Sequence, residues 1–172
     1  MRYTFEDPPG TSFGAPNTQT RWDPRASGCR CNECPLGAHN RSRGEWLPVP
    51  PEQREGTAGV IFGESPGGRE VKDGRPFVGR SGWKLNEALE KNGLSRNQFD
   101  IGNALACRPP GDDMRRFLAQ LQRENKRRDE RKVERLPQPI DCCRPQFTRL
   151  VQKHEHFLLL GASAYEALTS KT

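Results

Sequence analysis

An α/β three-layer sandwich with a small, mainly parallel sheet is the fold this sequence predicts, and three observations predict it. A continuous apolar run bounded by glycines at 59–62 reads as a buried strand, and 99–105 and 156–161 read as two further strands. Segments of helical periodicity lie between and after them. Strands that alternate with helices pair in parallel, with helices covering the sheet. Three strands make a thin sheet, and barely two turns of helix follow the last one. The sequence therefore predicts an architecture incomplete at its C-terminus.

Composition sharpens this. A chain of 172 residues has the length of one domain. Only 32% of it is hydrophobic, with 17 glycines and 15 prolines. The core is thus small for the length, so something other than apolar burial helps to hold the fold, or long segments stay outside it. No apolar run approaches the ~18 residues of a membrane span, and no leader pattern opens the chain. Six cysteines without such a leader point to thiols or metal ligands rather than disulfides. That suits the cytoplasm, either around a nucleoid or in the host cell of a virus. A net charge of +6 permits an anionic partner.

Taken in order, residues 1–28 lack apolar periodicity and read as an extended or disordered arm. Residues 29–172 form the domain. Cys29, Cys31 and Cys34 are followed by a Pro-rich loop. The strand at 59–62 runs into a tight loop, Gly63-Glu64-Ser65-Pro66-Gly67-Gly68. A helix is expected from about 82 to 92, with Ser81 as N-cap, Trp83, Leu85, Ala88 and Leu89 on one face, and Gly93 past its end. The strand at 99–105 stops at Cys107-Arg108-Pro109-Pro110. Residues 112–136 are densely charged, and Phe117, Leu118 and Leu121 stripe their start, so a helix projecting into solvent is predicted. Cys142-Cys143 open another helix, with Phe147, Leu150 and Val151 as its apolar face.

The cysteine spacing carries chemistry. Cys31-x2-Cys34 is a ligand-like pair, yet no second close pair follows within the ~12–20 residues a zinc ribbon uses. Cys31, Cys34, Cys107 and one of Cys142 and Cys143 still make four thiolates. Four thiolates hold either zinc or a [4Fe–4S] cluster, and spacing favours neither. The plainer reading makes Cys107 and Cys142 small buried residues without a ligand role.

Five motifs in order make the pattern specific: Cys31-x2-Cys34, Gly63-Glu64-Ser65-Pro66-Gly67, the run Gly74 to Gly82, Asn103-x3-Cys107-Arg108-Pro109-Pro110, and Cys143-Arg144-Pro145. From about Cys31 to Leu168 the chain resembles the iron–sulfur (family 4) uracil-DNA glycosylases. The resemblance implies a uracil-DNA glycosylase-like fold and hydrolysis of the N-glycosidic bond of uracil in DNA. It implies a [4Fe–4S] cluster on Cys31, Cys34, Cys107 and Cys143, with zinc as the alternative. Cys29 has no counterpart. The cluster would be structural, since base hydrolysis needs no electron.

The same resemblance places Glu64 as the catalytic carboxylate, with Gly63, Ser65 and Gly67 shaping its loop. Phe77 would stack on uracil, and Asn103 would read its edge. Stacking recovers ~1–3 kcal/mol of the energy spent extruding the base. The Asn103 amide can accept from uracil N3–H and donate to O4, a pattern that cytosine inverts.

Three departures stand out. The family has a later His-Pro-Ser-like loop whose histidine donates to uracil O2, and none of His39, His154 and His156 is in an equivalent place. His154 and His156 read as surface residues. Loss of such a donor costs ~10²–10³ in rate, so activity is expected to be weak, or another chain or domain completes the site. Val71 stands where the family often has an acid. The gap from Cys107 to Cys143 is also long, by roughly twenty residues. Its Arg127, Arg128, Arg131 and Lys132 are either a solvated face or phosphate contacts. A non-catalytic iron–sulfur DNA-binding module of a replication or repair assembly is the competing function, and a zinc-stabilised adaptor a third.

Overall fold

The structure is a computed structural model that describes residues 22–169. Its elements run α1 (Pro35–Ser42), β1 (Gly59–Gly63), α2 (Gly68–Asp73), α3 (Arg80–Lys91), β2 (Phe99–Asn103), α4 (Met114–Glu130), α5 (Pro139–Val151), β3 (Phe157–Leu159) and α6 (Ala162–Thr169). The sheet is all parallel, in the order β2-β1-β3. Every residue of the central strand is buried, as a strand covered on both faces requires.

Side-chain alternation sorts β1 into two cores. Val60 and Phe62 face α5 and α6, packing with Phe147, Leu150, Ala164 and Ala167. The Phe62 and Phe147 rings lie 4.4 Å apart. Ile61 faces the other way and joins Ile101 with Leu85 and Leu89 of α3. These are the three expected layers. A third cluster lies beyond them: Cys34, Cys107, Cys142 and Cys143 pack with Leu36, Leu105, Met114 and Phe117. Among the described residues no helix is long and apolar enough to cross a membrane.

Several expectations shift. Residues 1–21 of the predicted arm lie outside the described residues. Residues 22–28 are ordered: Asp23 caps a 3-10 turn, Pro24–Ser27, by accepting from Arg25 N at 2.9 Å, and Pro24 is buried. The loop after β1 contains a short helix, α2, which its two glycines concealed. Helix α3 starts at Arg80 with Gly79 as its cap, so Ser81 lies inside the first turn. His154 is not a surface residue. Its side chain is 7% exposed and sits 2.9 Å from buried Asp100 of β2, which needs a partner away from water.

The charged helix α4 does not simply project into solvent. Met114, Phe117 and Leu121 bury its first half. Further along, Asn125 is buried and clamps the returning chain, donating to Leu136 O at 3.0 Å and accepting from Leu136 N at 2.8 Å. Replacing Asn125 with alanine strips both bonds and should cost about 1–3 kcal/mol in a urea unfolding midpoint. Amide exchange in residues 131–138 should rise with it, while that of β1 changes only through the global loss.

Candidate active site

Parallel sheets place ligands at the carboxyl ends of their strands, where the strand order reverses. Here the chain leaves β1 for β2 on one side and returns to β3 on the other. An open cleft of about 1260 Å³ lies at that point, lined by Gly63, Glu64, Phe77, Asn103 and Leu160 among others. Gly63 and Asn103 are register partners at the last rung of the β1–β2 ladder.

Phe77 and Asn103 converge on Gly63. A Cβ built there would stand 2.5 Å from Phe77 Cζ and 2.8 Å from Asn103 Oδ1. Only a residue without a side chain lets the tip of an aromatic ring and an amide oxygen both come so close to it. The structure thus brings together Gly63, Glu64, Ser65, Gly67, Phe77 and Asn103 around one cleft. Phe77 takes φ +52°, left-handed backbone that a bulky residue rarely adopts. Gly82 allows it, because a Cβ at 82 would fall 1.8 Å from Phe77 O.

Two carboxylates absent from the sequence reading hold this loop. Glu70 of α2 is buried and accepts from Gly67 N at 3.2 Å, Val78 N at 3.1 Å and Gly79 N at 2.7 Å. It ties the Gly63–Gly67 loop to the Phe77 loop. Glu52 gathers Arg54, Arg75 and Arg96, the nearest contact being 2.6 Å to Arg75 Nε. Neither carries a motif; a lone glutamate in a charged sequence gives no signal of burial.

Glu64 is half-buried on the cleft wall. Ser163 Oγ, in the first turn of α6, donates to its Oε2. Among the described residues no histidine lines the cleft. Arg127, Arg128, Arg131 and Lys132 do not share one face. Arg127 and Arg131 are one turn apart and exposed, whereas Arg128 Nε donates to Glu134 O at 2.5 Å and closes the end of α4.

All six cysteines are buried free thiols. Among the described residues no three His, Cys, Asp or Glu side chains stand as a finished metal site. Cys29 Sγ donates to the backbone oxygen of Cys143 at 3.7 Å, and Cys34 and Cys142 share one buried cluster. A bond from Cys142 and the backbone amides of Gly37 and Leu36 bring Cys34 down to about 7, despite burial. Burial, then the charges of Cys29 and Cys34, push Cys31 up to about 11. Burial, then Cys34 and Cys31, push Cys107 up to about 12. Cys142 and Cys143 both lie in the buried cluster that holds Cys34 and Cys107. The indole N–H of Trp46 is buried and meets no oxygen or nitrogen acceptor. Trp46 packs against the cluster that holds Cys107. An all-thiol donor set beside an orphaned N–H donor fits a sulfur-rich group.

The sequence model of the uracil DNA glycosylase superfamily matches residues 50–171. The chain belongs to that superfamily. The match takes in all three strands and every residue named in the cleft. Curated relatives are called type-4 uracil-DNA glycosylases. That of Pyrobaculum aerophilum is 39% identical over 82 residues, covering 48% of this chain and 39% of the relative. That of Thermotoga maritima is 42% identical over 83 residues, covering 48% and 41%. That of Archaeoglobus fulgidus is 36% identical over 83 residues, covering 48% and 39%. This superfamily chain thus aligns with about two fifths of the length of those relatives.

Burial pushes the Glu52 carboxyl up, but Arg96, Arg75 and Arg54 outweigh it and hold the pKa below the ordinary 4.5. A depressed folded value means the stabilisation is full above the unfolded pKa and is lost as pH falls through the folded one. Below about pH 4.5, the unfolding midpoint of the wild type should therefore fall faster than that of Glu52→Gln, and the two curves should converge.

Proposed function

We propose that this chain hydrolyses the N-glycosidic bond of uracil in DNA, alone or with its site completed by another chain or domain. One observation carries the reading: an aromatic ring and a carboxamide oxygen converge on Gly63 in an open cleft at the strand ends. That pair suits a flipped pyrimidine, stacked by Phe77 and read by Asn103. Glu64 has one oxygen held by Ser163; a carboxylate keeps a second for water and for the cationic sugar that forms as the bond breaks. Arg80 and Lys84 line the same cleft and put positive charge at its mouth. Of the charged arm, Arg127, Arg131 and Lys132 are exposed for phosphate, while Arg128 serves the fold. Such work belongs in a compartment that holds DNA and keeps thiols reduced, as the cytoplasm does.

Cys31, Cys34, Cys107 and Cys143 would hold a [4Fe–4S] cluster. Bound there, it supplies a cross-link among α1, the loop after β2 and α5, and no electron to the reaction. Trp46 and the backbone amides at the start of α1 are the donors placed to meet sulfur. The Cys143-Arg144-Pro145 tripeptide, which matches the family's motif, favours Cys143 over Cys142 as ligand.

A second reading, an iron–sulfur module that binds DNA without cleaving it, is favoured by the bond that engages Glu64 with Ser163. A uracil-containing oligonucleotide separates the two. The enzyme reading expects an abasic product, cleaved by alkali. Phe77→Ala should lower the yield by roughly tenfold or more, from the ~1–3 kcal/mol of lost stacking. Asn103→Asp should erode discrimination against cytosine. Binding without product at high protein concentration supports the second reading, and neither product nor DNA binding, even at low salt, overturns both.

The metal is tested separately. Absorbance near ~400 nm with matched iron and sulfide is expected. It should be lost in Cys143→Ala and kept in Cys142→Ala. Colourless protein with one zinc would replace the cluster by the zinc alternative.

A further inference from the structure

The geometry points to Glu52 and Arg96 as the pair that holds the Phe77 ring in register with the Asn103 carboxamide, making them positioning residues for uracil selectivity. The inference rests on the uracil reading of the cleft.

A base held in the cleft must satisfy two groups at once. The stacking plane comes from the loop after α2, and the reading edge comes from the end of β2. These belong to different segments, and nothing in the ladder itself links them. Phe77 is also strained. A non-glycine residue at φ +52° costs on the order of 1–3 kcal/mol and persists only where its surroundings over-determine it.

Arg96 supplies part of that constraint. Its Nη1 donates to Phe77 O at 2.8 Å and its Nη2 to Pro76 O at 2.5 Å. Two consecutive carbonyls gripped by one fork fix the peptide planes on either side of Phe77, a task suited to a guanidinium and not to an ammonium. The Arg96 side chain is only 11% exposed, so its charge needs a partner. Glu52 is that partner, with Oε2 at 3.1 Å from Nη2 and 3.3 Å from Nε. Glu52 Oε1 also takes Arg75 Nε at 2.6 Å, immediately before Pro76. The loop is thus gripped at 75, 76 and 77.

The other end of Glu52 is on β2. Glu52 N donates to Ile101 O at 2.8 Å, and Ile101 N to Glu52 O at 2.9 Å, a two-bond antiparallel bridge. Ile101 lies two residues before Asn103. One residue therefore joins the strand carrying the reading amide, through its backbone, to the loop carrying the stacking ring, through its side chain. Neutralising Glu52 leaves Arg96 a buried charge without its carboxylate. The guanidinium then gains by turning to water, and the Pro76 and Phe77 carbonyls lose their donor. Small displacements of positioned groups cost large factors in rate and selectivity.

The test uses the whole chain and two variants, Glu52→Gln and Arg96→Lys. Binding to a uracil-containing duplex is compared with binding to the matched thymine duplex. Amide exchange is followed over residues 76–79. The expected result is a fall of about tenfold or more in uracil-over-thymine selectivity in Glu52→Gln. Affinity for the thymine duplex should stay the same, and exchange over 76–79 should speed up. Arg96→Lys keeps the charge but one carbonyl bond, and should fall between wild type and Glu52→Gln. Unchanged selectivity and unchanged exchange in both variants, or equal weakening on both duplexes, overturns the inference. If the wild type shows no uracil selectivity, the uracil reading itself fails, and exchange over 76–79 alone then decides whether the pair holds the loop.

Discussion

The candidate site depends on one close approach: the Phe77 ring and the Asn103 amide both reach the bare backbone of Gly63. Everything around that contact serves to keep it. The ladder pairs Gly63 with Asn103, so the amide arrives by register. The ring arrives by a left-handed turn that needs Gly82 behind it and two buried carboxylates beneath it. Glu70 holds three amides of the two loops, and Glu52 works through arginines. A polar scaffold suits this task better than an apolar one. Hydrogen bonds fix direction, whereas apolar contacts fix only proximity.

The low apolar content takes on a physical meaning in the structure. Two modest hydrophobic cores lie on the two faces of β1. The third core is built around cysteines, and it joins α1, α4 and α5 to the loop after β2. Cysteine packs as a small hydrophobe, so the thiols bury readily. Burial first, and repulsion between neighbouring thiolates second, makes Cys31 and Cys107 hold their protons. A cationic sulfur-binding centre held there would relieve the conflict that burial creates.

What was legible follows from how local each signal is. Strand β1 announces itself because a fully apolar run between glycines has few other uses, and β3 through an apolar run that leads to Gly161. The cleft residues were legible through short motifs, each pinned by a glycine or proline with a steric task. Helix α2 was not, because Gly67 and Gly68 read as breakers while the buried Glu70 that organises it looks like any surface acid. His154 was missed for the same reason: its partner Asp100 is fifty-four residues away. Polar residues buried by tertiary pairing leave no periodicity to read.

Charge makes the sharpest contrast. The run from Arg123 to Arg135 dominates the sequence, yet much of it is committed locally: Arg128 to the Glu134 carbonyl, Arg135 to Asp129, Arg127 loosely to Glu124. Exposed pairs of this kind contribute ~0–1 kcal/mol each. Glu52 stands alone between glutamine and proline, and nothing about it draws notice. Buried against three arginines and bridged to β2, it constrains more of the cleft than the whole charged arm. Burial, not abundance, decides which charges act. A conspicuous run of charge is conspicuous because water tolerates it, and for that reason it says little about the site.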